Sequence, residues 1–141
     1  MKRTLINPPD MAAPRGFNHG ILVEGGRLLF LAGQDASDGT GAIVAEGDLA
    51  GQFRQVLKNL RRVVEQAGGR GADITKLNIF VRSRDEYLSR LSELGGIYRQ
   101  ELGTQYPAMA LFEVTGFFNP AALIELEGMA VIPAVGSPPG D

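Results

Sequence analysis

The most regular pattern of apolar residues lies between Asp48 and Ala67. Its apolar side chains recur at steps of three and four residues, the spacing of one face of an α-helix. They are Leu49, Phe53, Val56, Leu57, Leu60, Val63, Val64 and Ala67. Gly68-Gly69 follows at once, and glycine readily adopts the left-handed conformation in which many helices end. The pattern predicts a helix over residues 48–67.

A second helix is predicted to begin after Ser83. Ser83 and Glu86 have the spacing of a capping box. The apolar residues that follow lie on one side of a helix: Tyr87, Leu88, Leu91, Leu94, Tyr98 and Leu102. Gly95-Gly96 interrupts this side, and we attribute the two glycines to close packing of the helix against a sheet.

Strands account for the other apolar runs. Two runs between residues 19 and 33 flank Gly25-Gly26, which predicts a tight hairpin because both central positions of such a turn can need φ > 0. The remaining strands are predicted at residues 2–6, 74–81, 108–114 and 123–132. The order β-β-β-α-β-α-β-β predicts an α+β fold in which two helices cover one face of a mixed sheet. We expect one domain, residues 1–132, followed by a flexible tail, residues 133–141.

Two of the predicted strands are apolar on both faces, because alternate side chains of a strand point in opposite directions. The third strand has Leu28, Phe30 and Ala32 on one face and Leu29 and Leu31 on the other. The last strand has Ile124, Leu126, Ala130 and Ile132 opposite Leu123, Met129 and Val131. Two helices can cover only one of these faces, so the second apolar face predicts a homo-oligomer in which sheet faces pack together.

Composition excludes several classes of function. Fourteen basic and sixteen acidic residues give a net charge of −2 and a pI near 5.4. Phosphate-binding surfaces usually have a basic excess, so no nucleic-acid partner is expected. Without cysteine there is no thiol nucleophile, and a single histidine cannot supply paired metal ligands. No stretch approaches the roughly 20 apolar residues of a membrane span, and residues 1–10 lack the apolar run of a secretory signal. We expect a cytoplasmic protein without a metal.

Glu125 and Glu127 are candidates for acid–base chemistry. They lie two residues apart in an apolar strand and therefore point to the same face. A carboxylate among apolar groups tends to have a raised pKa, which suits proton transfer. For each of them a solvated or inter-subunit rim is the alternative. His19 is interpreted as lining a pocket or lying at the surface, since no nucleophile elbow accompanies it.

Met109 and Leu111 share a face with Glu113 on the strand that precedes Glu125. If that strand paired with the last strand as a hairpin, Met109, Leu111 and the face of Glu125 would line one cavity.

Seven segments, taken in order, resemble the RidA/YjgF family, also called L-PSP endoribonuclease. They are Gly16-Phe17, Leu31-Ala32-Gly33-Gln34, Val64-Glu65-Gln66-Ala67-Gly68-Gly69, Lys76-Leu77-Asn78-Ile79-Phe80-Val81, Tyr106-Pro107-Ala108, Phe112-Glu113-Val114 and Ile124-Glu125-Leu126-Glu127-Gly128-Met129-Ala130-Val131. The resemblance implies a chorismate-mutase-like α+β fold and a homotrimer with clefts between subunits. It also implies hydrolysis of reactive enamines or imines to a keto acid and ammonia, without a cofactor.

The resemblance also implies a set of site residues. By position, the cleft would contain Phe17, Gly33, Met109, Leu111 and Glu125, with Glu125 as the acid that activates water. The family's deaminases commonly have a tyrosine at the first of these positions. At the position of Met109 they have an arginine that grips the substrate carboxylate.

Met109 is therefore the decisive departure from the family. An arginine fork gives a carboxylate two charge-assisted hydrogen bonds of roughly 1.5–3 kcal/mol each, which a thioether cannot replace. Phe17 likewise lacks a hydroxyl. These changes predict a ligand that is less anionic and more apolar than the ligands of the family's deaminases. Arg15 is the nearby cation that we nominate as a substitute anchor.

Two classes of function agree with these residues. The first is a cofactor-free imine or enamine deaminase with altered substrate choice, motivated by Glu125. The second is a non-catalytic trimer that binds a small metabolite or a partner protein, motivated by Met109 in place of arginine. Ribonuclease activity is disfavoured by the low pI and the absence of a basic run.

The two-sided apolar strands generate the first testable prediction. Light scattering at micromolar concentration is expected to give the mass of an oligomer, with a trimer as the state that the resemblance implies. A monomer at that concentration would contradict the inference from the apolar faces.

Overall fold

The computed structural model describes residues 1–135. Its elements, in chain order, are β1 (Lys2–Ile6), β2 (Gly20–Glu24), β3 (Arg27–Gln34), α1 (Leu49–Gln66), a 3₁₀ turn (Gly71–Asp73), β4 (Ile74–Val81), α2 (Arg84–Ser89), α3 (Leu91–Leu102), β5 (Ala108–Glu113) and β6 (Ile124–Ile132). The predicted order is confirmed, except that the second helix is divided in two. Of the predicted tail, residues 136–141 lie outside the described part of the chain.

Helix α1 forms where the apolar stripe predicted it. The Asp48 side chain caps its first turn by accepting a hydrogen bond from the Gly51 amide, 3.1 Å away. The chain leaves the helix at Gly68, whose φ of +89° suits glycine. The stripe packs into the core, with Val63 as the exposed exception.

The second helical region breaks at Arg90, whose φ of −121° and ψ of 19° are not helical. Ser83 does cap α2, because its Oγ accepts from the Glu86 amide at 3.1 Å. Gly95 and Gly96 lie inside α3 and do not interrupt it. The expected packing of these glycines against the sheet is wrong, since a Cβ built on either one would have only Arg99 atoms within 4 Å.

The strands form two sheets. β1 and β2 pair antiparallel as a separate ribbon, and the larger sheet has the order β3-β6-β4-β5. It is mixed, because β4 and β5 are parallel while the other neighbours are antiparallel. The predicted hairpin at Gly25-Gly26 is wrong: both residues have positive φ, but β2 pairs with β1 and β3 pairs with β6. The turn redirects the chain from one sheet to the other.

Helices cover one face of the larger sheet. The buried core lies between that face and α1 and α3, and its largest members include Phe53, Leu57, Leu60, Leu77, Leu94, Ile124 and Leu126. The opposite face of the single chain carries exposed apolar side chains, with Leu28 57%, Phe30 71% and Phe112 47% accessible. Both faces are thus apolar, as predicted. No helix within residues 1–135 has the length and apolarity needed to cross a bilayer.

Gln52 is a fully buried polar residue of α1. Its Oε1 accepts from the Leu123 amide at 2.8 Å, and its Nε2 donates to the Ala121 carbonyl at 3.1 Å and to the Ala45 carbonyl at 3.3 Å. One side chain therefore connects the core helix to the residues that lead into β6. An apolar side chain at this position would leave buried backbone groups without a partner.

We expect Gln52→Leu to lower the free energy of unfolding by about 2–4 kcal/mol, because the Leu123 amide and the Ala121 carbonyl lose their partner. Urea denaturation followed by circular dichroism measures the change. Gln66→Leu is the matched control, since Gln66 is exposed on the same helix. Equal unfolding midpoints for the two variants would contradict the role assigned to Gln52.

Candidate functional site

The loop between β1 and β2 is tied to the start of β5. The Asn18 amide donates to the Pro107 carbonyl at 3.0 Å, and its Nδ2 donates to the Tyr106 carbonyl at 2.5 Å. Asn7 donates in turn to the Asn18 Oδ1 at 2.9 Å. These bonds hold residues 15–17 beside Tyr106.

His19 belongs to this loop framework. Its Nε2 donates to the Ala12 carbonyl at 2.8 Å, and its ring lies edge-on to Phe17 with centroids 5.4 Å apart. The ring therefore contacts other residues of its own loop. It lines neither of the two cavities described next.

The aromatic cavity, as we call it, lies between α3, the start of β5 and the loop. It has a volume of about 290 Å³, and Arg15 and Met109 both line it. Its walls include Phe53, Tyr87, Tyr98 and Tyr106, and Arg99 stands on its α3 side. Burial raises the pKa of both Tyr87 and Tyr98, so these phenols stay neutral at physiological pH.

A second cavity adjoins the first. It has a volume of about 570 Å³ and is lined by Phe17, Asn18 and Arg3, among others. Gly16 and Tyr106 line both cavities and form the boundary between them. Phe17 and Met109 are therefore neighbours across this boundary and not in one cavity.

Glu125 lies on the open face of the larger sheet. Gly33 of β3 is next to it, and a Cβ at Gly33 would collide with the Glu125 Oε1. The backbone of β3 can approach the carboxyl this closely only because residue 33 has no side chain. The structure thus brings together two of the predicted site residues, Gly33 and Glu125.

The surroundings of Glu125 disfavour its ionised form. Burial raises the pKa of Glu125 above its usual range, and the nearby carboxylates of Asp35 and Glu127 raise this pKa further. Asp35 is held in place by the backbone amide and the hydroxyl of Ser37. A carboxyl with a raised pKa in a partly apolar setting suits proton transfer to or from water.

Aromatic rings lie beside the acid on the same face. Phe80 of β4 is the direct partner of Glu125 across the β4–β6 pair. Its ring stacks on Phe112 of β5, with centroids 5.6 Å apart and an angle of 22° between the rings. The acid therefore borders an apolar strip that no element of residues 1–135 covers.

The cavity suggested for a β5–β6 hairpin does not form. β4 lies between β5 and β6. Met109 and Leu111 pair with Leu77 and Ile79, which are buried on the helix side. Glu125 points to the other face, so the sheet separates it from Met109 and Leu111 within one chain. Leu111 packs against the core and lines neither cavity.

Three contributors to the site were not predicted. Asp35 affects Glu125 from the loop after β3, and only the three-dimensional fold brings it there. Tyr98 and Arg99 line the aromatic cavity, and the Gly95-Gly96 pair one turn earlier was the signal that could have directed attention to them. Residues 1–135 contain no group of three or more His, Asp or Glu placed to hold a metal ion.

The chain is similar to known proteins over most of its length. Residues 9–132 match the family described as endoribonuclease L-PSP. The chain belongs to the L-PSP endoribonuclease (RidA/YjgF) family. A RutC family protein of Pyrococcus horikoshii is 29% identical over 108 residues, which are 77% of this chain and 82% of that protein.

Solved structures of L-PSP family members have the same fold. A Rid family protein of unknown function from Yersinia pestis, YyfB, superposes with a TM-score of 0.81 at 34% identity and covers 94% of this chain and 100% of its own. RidA from an Antarctic Psychrobacter superposes with a TM-score of 0.64 at 25% identity, over 86% of this chain and 92% of its own. The α+β fold with a mixed sheet is thus the fold of this family.

In this L-PSP family member, carboxyl ¹³C NMR titration is expected to give Glu125 a pKa above the usual range of a glutamate. Asp35→Asn should lower that pKa, and Glu127→Gln should lower it by less, because the Asp35 charge has the larger effect.

The same shift has a consequence for stability. Because the pKa is higher in the folded state, ionisation of Glu125 opposes folding, and this part of the stability is lost as pH rises through the folded pKa. We therefore compare the free energies of unfolding of Glu125→Gln and the wild type. The difference should favour the variant more at neutral pH than at acidic pH. Glu46→Gln, at an exposed position, is the control and should not show this dependence on pH. A pKa of Glu125 in the usual range of a glutamate would contradict the predicted shift.

Proposed function

We propose that this chain hydrolyses a reactive enamine, imine or related small metabolite, with Glu125 as the group that activates water and without a cofactor. Membership in the L-PSP family supports the reaction class. The observation that carries the proposal is the environment of Glu125, whose carboxyl lies against Gly33 and has its pKa raised by burial and neighbouring acids.

The reaction uses one proton acceptor and one water molecule. Glu125 takes a proton as the water oxygen bonds to the imine carbon, and the C=N π electrons move to nitrogen. The same carboxyl then returns a proton to nitrogen. The product at this stage is a carbinolamine. The carboxyl then passes the proton of the new hydroxyl group to nitrogen as the C–N bond breaks, so ammonia leaves and the carbon retains its oxygen as a carbonyl. An enamine enters the same route after protonation of its carbon.

The active cleft in this proposal lies between copies of the chain. Within one chain the sheet separates Glu125 from Met109, so the two can share a ligand only if a second copy brings its own open face to the first. The exposed apolar side chains on that face, among them Leu28, Phe30 and Phe112, favour such association. A homotrimer with three clefts between subunits is the assembly that we propose.

The altered substrate choice follows from position 109. A thioether cannot pair with a carboxylate attached to the reacting carbon, whereas it packs well against apolar groups. The aromatic walls around Met109 point in the same direction. We infer that an imine with an apolar body is preferred over the small imines of polar amino acids.

Binding without turnover is the second candidate, and the uncharged side chain at position 109 favours it. In that case the trimer would hold a small metabolite or a partner protein in the same cleft. The two candidates differ in one observable, the release of ammonia above the rate in buffer.

Ammonia release from imines generated in solution tests the proposal. We expect the wild type to accelerate hydrolysis of an aromatic imine, and Glu125→Gln to lower the rate roughly 10²–10⁴-fold, the usual contribution of a general acid–base group. Glu46→Gln is the control, because Glu46 is exposed and is not one of the groups that shift the pKa of Glu125. No acceleration by the wild type would exclude the enzyme and leave the binding trimer, whereas an accelerated rate that is unchanged in Glu125→Gln would exclude Glu125 as the group that activates water.

A further inference from the structure

Gly95 makes room for the guanidinium of Arg99, and Gly96 lies beside that guanidinium without being needed for it. A Cβ at Gly95 would lie 3.3 Å from the Arg99 Nη1, and a Cβ at Gly96 would lie 3.9 Å from the Arg99 Nη2. Side chains of a helix lean toward its N-terminus, so Arg99 reaches back by one turn over the two glycines. Neither glycine has a positive φ or ends the helix, so the backbone does not require glycine at either position. The missing side chain of Gly95 matters because it leaves space for the guanidinium.

The charge of Arg99 is not neutralised by the protein. Arg54, Arg61 and Arg90 all form ion pairs, whereas within residues 1–135 neither Arg99 nor Arg15 has an ion pair or a side-chain hydrogen bond. Both line the aromatic cavity, and none of its lining residues is acidic. Two cations at one cavity without a counter-charge attract an anion.

The floor of the cavity is apolar and aromatic. Phe53 and Tyr98 are buried, while Arg15 and Arg99 are exposed, which places the charges toward solvent. Tyr98 and Tyr106 lie with their ring centroids 5.5 Å apart. The volume of about 290 Å³ is at the small end of the range for ligand pockets, and it suits one ring or a short aliphatic chain.

We propose that Arg99, together with Arg15, binds the carboxylate of a small monocarboxylate whose aromatic or short aliphatic body fills the aromatic cavity. For the reaction, this inference rests on the proposed function and names its substrate class: an imine with an apolar body and a carboxylate held away from the reacting carbon. The binding itself does not depend on turnover.

Calorimetric titration with phenylacetate and with phenylacetamide tests the charge requirement. The two probes have similar shapes, and only the first carries a charge. We expect the wild type to bind phenylacetate at least roughly tenfold more tightly, because charge-assisted hydrogen bonds are about twice as strong as neutral ones. Equal affinities for the two probes, or no binding of phenylacetate at millimolar concentration, overturns the proposal.

Four variants assign the effect to residues. Arg99→Gln should weaken phenylacetate binding roughly tenfold or more while leaving the affinity for phenylacetamide unchanged, and Arg15→Gln should act in the same direction. Arg62→Gln, on an exposed part of α1, is the control for a lost surface charge. Gly95→Ala should raise the melting temperature, because alanine favours helix, and yet weaken phenylacetate binding by displacing the guanidinium.

Gly96→Ala is the matched control for Gly95→Ala. Its Cβ would make only ordinary contact with Arg99, so we expect the same rise in melting temperature with unchanged affinity. Unchanged phenylacetate affinity in Arg99→Gln overturns the proposal.

The tests of this inference and of the proposed function fail separately. If phenylacetate binding depends on Arg99 but no imine is hydrolysed, the proposed function is excluded and the anion site stands. If Glu125-dependent hydrolysis is found but Arg99→Gln binds phenylacetate like the wild type, the anion site is excluded and the hydrolase stands.

Discussion

Strand β6 is hydrogen bonded on both sides, to β3 and to β4, and this double pairing constrains the rest of the molecule. Its side chains have two directions only. Ile124 and Leu126 enter the core beneath α1, so Glu125 must point to the opposite face. The acid, its glycine neighbour and the stacked aromatic rings therefore share a surface that the helices of the same chain cannot reach.

The positions of the helices and strands follow from local patterns, and these could be predicted from the sequence. The stripe from Leu49 to Val64 requires a buried helix, and the alternation in β6 shows two apolar faces before any fold is known. Strand pairing is less local. Gly25 and Gly26 have the positive φ values that a hairpin turn needs, yet the partner of β2 is β1, because turn chemistry fixes the conformation of the turn and not the path of the strands beyond it.

The candidate site was predicted in part for the same reason. The family resemblance implied Gly33, Met109 and Glu125 among its site residues, and Arg15 was added as the nearby cation. The structure divides them between two places: Arg15 and Met109 line the aromatic cavity, whereas Gly33 and Glu125 lie on the open face of the sheet. The parallel pairing of β5 with β4 decides this division, and it depends on the crossover through α2 and α3. Arg99 was not predicted as a site residue, because it lies at the same cavity as Met109 only after the crossover has folded.

The contact between Gly33 and Glu125 couples the substitutions that β3 and β6 can accept during evolution. A lineage that acquires a methyl group at residue 33 cannot keep the carboxyl where it is, whereas a lineage that first gives up the acid is free to enlarge residue 33. Glycine at this position is therefore a condition for keeping the carboxyl in its present place. Descendants in which the acid is gone are free of that condition, so a larger residue in β3 would be tolerated there.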